Sequence, residues 1–214
     1  MRVRSYEVLS DTRLNEGGFL VLRRMKLRAV LDDGSKTKEG TYEFVERPKG
    51  LDAVVLAIWT RGPDGRARVL LRDGVRIPLV FGRTAPPKPL KFTEVVAGIL
   101  EKGEETDSGI RQRAADEAWE EAGLRIAPDR VKTLGPATFP TPGMCAEYFH
   151  LMECEISKQE ADAAEHPSGD GSPFEEGAAV RWSTLDEALA AVERGEINDL
   201  KTEVILRRLQ QRLA

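Results

Sequence analysis

Three glutamates fall within five positions, Glu117, Glu120 and Glu121, and Gly123 and Leu124 follow almost at once. Carboxylates this close repel one another unless positive charge lies among them, and a divalent cation is a common source of it. The segment opening at Gly98, GILEKGEETDSGIRQRAADEAWEEAGL, also dictates its own local structure. Glu94 to Ala97 reads as a strand that feeds directly into this segment. Thr106, Asp107 and Ser108 all suit a helix N-cap, and Gly123 is a helix stop. At about 100° per residue, Glu117, Glu120 and Glu121 share one arc of that helix with Arg113. Ala114, Ala115, Ala118, Trp119 and Ala122 fill the adjoining arc and are expected to bury against a sheet. The acidic arc then lies at the rim of the packed face, where oxygen ligands suit Mg²⁺ or Mn²⁺.

The flanking sequence alternates strands with turns. Residues 1–48 read as short strands, with a turn at Asp32-Asp33-Gly34 and a strand over Thr41–Glu46 before Pro48. Ala53–Trp59 is apolar throughout, as a central strand must be, and Ala67–Arg72 pairs with it after a turn at Pro63-Asp64-Gly65. Residues 82–90 are Pro-rich and read as extended. Further strands are expected over Val131–Pro136, Tyr148–Ile156 and Ala178–Trp182, with a long loop from Ser157 to Phe174. Thr184-Leu-Asp-Glu187 opens a helix as a capping box. A last helix spans about Leu200 to Leu213, with Val204, Ile205, Leu209 and Leu213 inward. The order predicts an α/β layered domain with a mixed sheet and an N-terminal antiparallel β appendage, divided as 1–48 and 49–214.

Net charge is −4, which disfavours nucleic acid or an anionic membrane as a partner held by bulk charge. The longest apolar run, Ala53–Trp59, is far too short to span a bilayer, and the first residues lack a signal-peptide core. Cys145 and Cys154 have no metal-ligand spacing and are expected as buried free thiols of a cytoplasmic protein. His150 sits in an apolar strand and reads as structural.

The Gly98–Leu124 segment resembles the Nudix box, the signature of hydrolases that cleave a nucleoside diphosphate joined to another moiety. Two features depart from it. Eleven residues, rather than seven, separate Glu104 from the position before Glu117, and that position carries Asp116 where the box has arginine. The resemblance implies metal binding by Glu117, Glu120 and Glu121, with Glu104 at the edge and the carbonyl of Ala97 as a further ligand. Arg113, one turn before Glu117, is expected to supply the missing ion pairing.

Other segments are similar to the ADP-ribose pyrophosphatase branch. These are Tyr42–Pro48, which contains Arg47; Leu70–Arg76; Thr141-Pro-Gly-Met-Cys-Ala-Glu147; and Gly195–Thr202, whose Asp199 reads as a helix cap. The likeness implies substrate contacts from Arg76, Arg72, Glu147 and Arg47. It implies catalysis by Glu117 and Glu121, with Glu175 or Glu176 activating water. It also implies a Nudix-type α/β/α sandwich, a Mg²⁺ (or Mn²⁺) cofactor and a homodimer completed by the N-terminal β domains. ADP-ribose, cleaved to AMP and ribose 5-phosphate, is the first substrate. GDP-mannose and a non-catalytic nucleotide-binding role are the alternatives.

Overall fold

The computed structural model describes residues 2–85, 91–162, 164 and 178–214. The chain forms two compact units, one of residues up to 51 together with 141–147, the other of 52–140 and 148–214.

The first unit is an antiparallel sheet of β1 (Val3–Leu14), β2 (Val21–Leu31) and β3 (Gly40–Glu46), in that order. Only β3 has the short length expected; β1 and β2 run 12 and 11 residues. Gly34, at φ 82°, completes the Asp32–Gly34 turn, in which the Asp33 carboxylate accepts the Ser35 N–H at 2.9 Å. The 141–147 segment joins this unit through the Val45 N–H, which donates to the Met144 carbonyl at 2.9 Å.

The second unit is built on β4 (Ala53–Arg61), followed by β5 (Ala67–Gly74), α1 (Ile77–Phe81), β6 (Phe92–Glu94), β7 (Val96–Ile99) and α2 (Asp107–Ala122). Then come β8 (Lys132–Thr133), β9 (Phe149–Glu155), α3 (Lys158–Asp162), β10 (Ala179–Thr184), α4 (Leu185–Glu193) and α5 (Leu200–Leu213). The sheet order is β10-β5-β4-β9-β8, with β6 added to β5 and β7 to β4. β4 pairs in parallel with β9, from Ala53 opposite Phe149 to Trp59 opposite Glu155. Its other edge serves two antiparallel partners in turn: Ala53–Leu56 meet β7, and Trp59–Arg61 meet β5.

Successive β4 side chains point to opposite faces of the sheet. Val54, Leu56 and Ile58 join a core with Ala114, Ala118 and Ala122 of α2. Val55, Ala57 and Trp59 join a second core with Leu189 of α4 and Ile205, Leu206 and Leu209 of α5. With helices on both faces, a continuous apolar strand is the physical requirement, and the unit is the expected α/β/α sandwich with a mixed sheet.

Local differences from the sequence reading have simple causes. Val95 leaves the ladder and donates its N–H to Thr202 Oγ1 at 3.0 Å, which splits the predicted Glu94–Ala97 strand into β6 and β7. Trp119 is 39% exposed and lies under the Arg125 guanidinium, 3.8 Å from its ring centroid, instead of entering the core. On α5, Leu206 rather than Val204 is fully buried. Of the Val131–Pro136 stretch only Lys132 and Thr133 form a strand, with Leu134 adding one N–H bond to the Leu151 carbonyl of β9. The expected loop from Ser157 begins with α3, and α1 was not anticipated. The Thr184–Glu187 capping box, the Thr106 cap of α2 and the Asp199 cap of α5 form as read.

Candidate active site

β7 and α2 bring the expected acidic groups to one short piece of backbone. Glu121, only 7% exposed, accepts the Ala97 N–H on Oε2 at 3.0 Å. Glu117 approaches the neighbouring residue so closely that a Cβ on Gly98 would lie 1.7 Å from its Oε1. Glycine is therefore the residue that opens the trough in which the Glu117 carboxylate rests. Glu120 is half-buried on the same helix.

Two carboxylates against the half-buried Ala97–Gly98 backbone form a hard-oxygen donor set that fits Mg²⁺ or Mn²⁺. Among the described residues no three His, Cys, Asp or Glu side chains converge as an ion site. An ion held here needs backbone oxygen as well, and the Ala97 carbonyl is the candidate: Glu121 accepts the N–H of that residue, and Glu117 lies against Gly98, the residue after it.

Arg113 stands behind this pair. It clasps Glu104 through Nε at 3.0 Å and Nη2 at 2.9 Å, while its Nη1 is 3.9 Å from Glu117 Oε1. The expected contact with Glu117 thus exists, secondary to a bidentate grip on Glu104. That guanidinium holds the Glu104 carboxyl below the usual carboxylate range. Asp116 faces elsewhere and accepts the Gln112 amide at 2.8 Å.

The arginines of the 70–76 segment differ sharply. Arg76 is 45% exposed along its side chain and donates to Glu94 Oε2 at 2.6 Å. Arg72 is buried, with Nη1 3.7 Å from Glu94 Oε1 and Nε 3.5 Å from Glu121 Oε1. Glu94 itself is 2% exposed and also meets Lys201. Burial pushes its carboxyl up, but Lys201 and Arg76 outweigh that and hold it below the usual range. Arg47 and Glu147 form a salt bridge within the first unit. Glu175 and Glu176 lie outside the described residues.

No model of a protein family matches the chain. It is 28% identical over 155 residues to the ADP-ribose pyrophosphatase of Haemophilus influenzae, a match covering 72% of the chain and 64% of that enzyme. The chain thus spans just under two thirds of that relative's length. It is 31% identical over 207 residues to the GDP-mannose pyrophosphatase of Cronobacter sakazakii, covering 96% of the chain and 95% of its counterpart. The chain belongs to the Nudix hydrolases. The fold agrees. A solved ADP compounds hydrolase superposes with a TM-score of 0.65 at 10% identity, covering 100% of this chain and 96% of the other. A Nudix hydrolase from Alicyclobacillus acidocaldarius gives 0.51 at 15%, covering 73% and 89%.

In this Nudix hydrolase the sequence reading missed Glu94 and Lys201. Glu94 looked like the polar start of a strand, and Lys201 like part of a helix opening. The sequence signal for Glu94 is a charge directly before Val95 and Val96, and that for Lys201 only its place in the Gly195–Thr202 segment.

Arg113→Ala tests the substituted ion pair. Glu104 in the variant should titrate closer to its ordinary, unfolded-state value, since its largest lowering partner is gone. In the wild type its lowered value adds stability that is present above that value and lost as pH falls through the lower, folded one. Thermal unfolding against pH should therefore be flatter in that acid window for the variant. Turnover should fall about 10-fold as Glu104 and Glu117 lose their brace. Identical acid limbs and identical turnover would dismiss the brace.

Proposed function

We propose that the chain hydrolyses the pyrophosphate bond of a nucleoside diphosphate joined to a sugar, using Mg²⁺ or Mn²⁺, with ADP-ribose the first candidate substrate. AMP and ribose 5-phosphate would be the products. The observation that carries this reading is the pair Glu117 and Glu121 drawn against the Ala97–Gly98 backbone. In this reading Glu117, Glu121 and the Ala97 carbonyl hold the ions, with Glu120 beside them and Glu104 at the edge. Bound divalent ions supply Lewis acidity toward phosphoryl oxygens and a more acidic water.

The protein's own groups do the rest. Arg76, whose side chain is partly exposed, binds the diphosphate, and its guanidinium is oriented by Glu94. Arg72, buried at the side of Glu121, adds positive potential without reaching solvent. Arg113 orients Glu104 and Glu117. Glu175 or Glu176 takes the proton of the attacking water, and Arg47 and Glu147 are the substrate contacts offered by residues 1–48 and 141–147.

A homodimer in the cytoplasm completes the reading. Its support is the β1–β2 hairpin, where Val3, Tyr6, Val8 and Leu9 are exposed. No helix among the described residues is long and apolar enough to cross a membrane.

GDP-mannose is the second candidate, favoured by the relative that matches over nearly the whole chain. A phosphatase-coupled assay of phosphate release from ADP-ribose, GDP-mannose and other nucleotide sugars decides, run with Mg²⁺, Mn²⁺ or EDTA. Turnover of one substrate, abolished by EDTA, is the expected result. Silence with every sugar and both metals, alongside calorimetric binding of a nucleotide sugar, would replace hydrolysis by recognition alone.

A further inference from the structure

Six charges run in a chain from the start of α5 to the glutamates of α2. Asp199 meets Lys201 at 2.8 Å, and Lys201 meets Glu94. Glu94 meets Arg76 at 2.6 Å and Arg72 at 3.7 Å, and Arg72 meets Glu121 at 3.5 Å. Among the described residues of this chain of contacts, three carboxylates face three cations. Most of the chain is out of water: side-chain exposure is 2% for Glu94, 6% for Arg72, 8% for Glu121 and 11% for Lys201. A buried charge stripped of its counter-charge is strongly unfavourable, so losing one member must redistribute the others.

Arg72 occupies the decisive place because it is divided between two carboxylates. Glu121 Oε2 accepts the Ala97 N–H while its Oε1 faces Arg72, so a cation at Glu121 competes with that guanidinium for the carboxylate's charge. Glu94 draws the same guanidinium the other way. We propose that Arg72 and Glu94 are a positioning pair that sets how tightly Glu121 takes a divalent cation, with Arg72 as an internal stand-in for the ion and Glu94 as the partner that draws it aside. This rests on Glu121 being a metal ligand, as in the hydrolase reading above.

The test is Mn²⁺ binding without substrate, followed by the electron paramagnetic resonance of free Mn²⁺. The proteins are wild type, Glu94→Gln and Glu94→Gln/Arg72→Met, each checked for cooperative thermal unfolding. In Glu94→Gln, Glu121 is the one of the two carboxylates still charged, so Arg72 moves onto it and Mn²⁺ affinity falls about 10-fold. Removing Arg72 as well restores charge balance, and affinity returns to within about 3-fold of wild type, the sign of direct coupling between neighbours. Equal affinity in wild type and Glu94→Gln overturns the pair while leaving Glu121 as a ligand. Weak binding that Arg72→Met does not restore overturns it too, because Glu94 then acts only on packing. Absence of Mn²⁺ binding in the wild type sinks both the pair and the metal reading. If Glu94→Gln does not fold, Arg72→Met alone is read. Several-fold tighter binding is expected, and equal or weaker binding ends the proposal.

Discussion

Glu121→Gln is expected to lower metal-dependent turnover by about 10³-fold, near 4 kcal/mol of transition-state stabilisation, while the fold persists. The amide has the shape of the carboxylate, and its oxygen can still accept the Ala97 N–H that holds Glu121 in place. What disappears is one negative charge at a buried position, so the variant separates charge from geometry. Stability should change little, because Arg72 keeps Glu94 as a counter-charge. The measurement is kcat/KM with Mg²⁺ beside a thermal melt. Turnover within 10-fold of wild type, in a protein melting normally, would remove Glu121 from the metal site.

Gly98→Ala should be nearly as damaging by the opposite route, since it adds no charge and removes none. The new Cβ would stand 1.7 Å from Glu117 Oε1 and 1.9 Å from its Cδ. These atoms and Cγ, at 2.5 Å, all belong to the Glu117 side chain, which must swing aside as a whole so that the backbone need not move. The stability cost is correspondingly small, and the lower entropy of an alanine in the unfolded chain offsets it by about 0.4–1 kcal/mol. Turnover falls about 10²-fold, as expected when a group essential to geometry is displaced by an ångström or more. A variant with wild-type kcat and unchanged metal dependence would show that Glu117 does not work from its trough.

Sequence carried the second unit far because its signals are local. Ala53–Trp59 could be a central strand and little else, and Thr106 and Gly123 bracket α2 by cap chemistry that depends on a few neighbouring residues. The acidic arc was legible for the same reason, since 3.6-residue periodicity places Glu117 and Glu121 on one side without knowledge of the sheet. The charges around Glu94 were not. Its partners Arg72, Arg76 and Lys201 come from β5, the turn after it and α5, so only tertiary structure assembles them. The division into β6 and β7 failed similarly, because the hydroxyl that takes the Val95 N–H lies 107 residues away. Burial of Arg72 ran against expectation for a reason of the same kind. An arginine enters a core only where carboxylates await it, and a single sequence does not say where they are.

The unusual spacing before Glu117 has a consequence in helical phase. Helix α2 begins at Asp107, three residues after Glu104, so most of the lengthened interval lies inside the helix. Four added residues rotate an α-helix by about 400°, within about 40° of a whole turn, and extend it by about 6 Å. Two added residues would turn it about 200° and send the glutamates to the opposite side. The helix therefore tolerates growth in steps of a turn: its far end advances, Arg113 rotates into line with Glu117, and the glutamates keep the bearing that faces β7. Insertions at this point are governed by angle rather than by number.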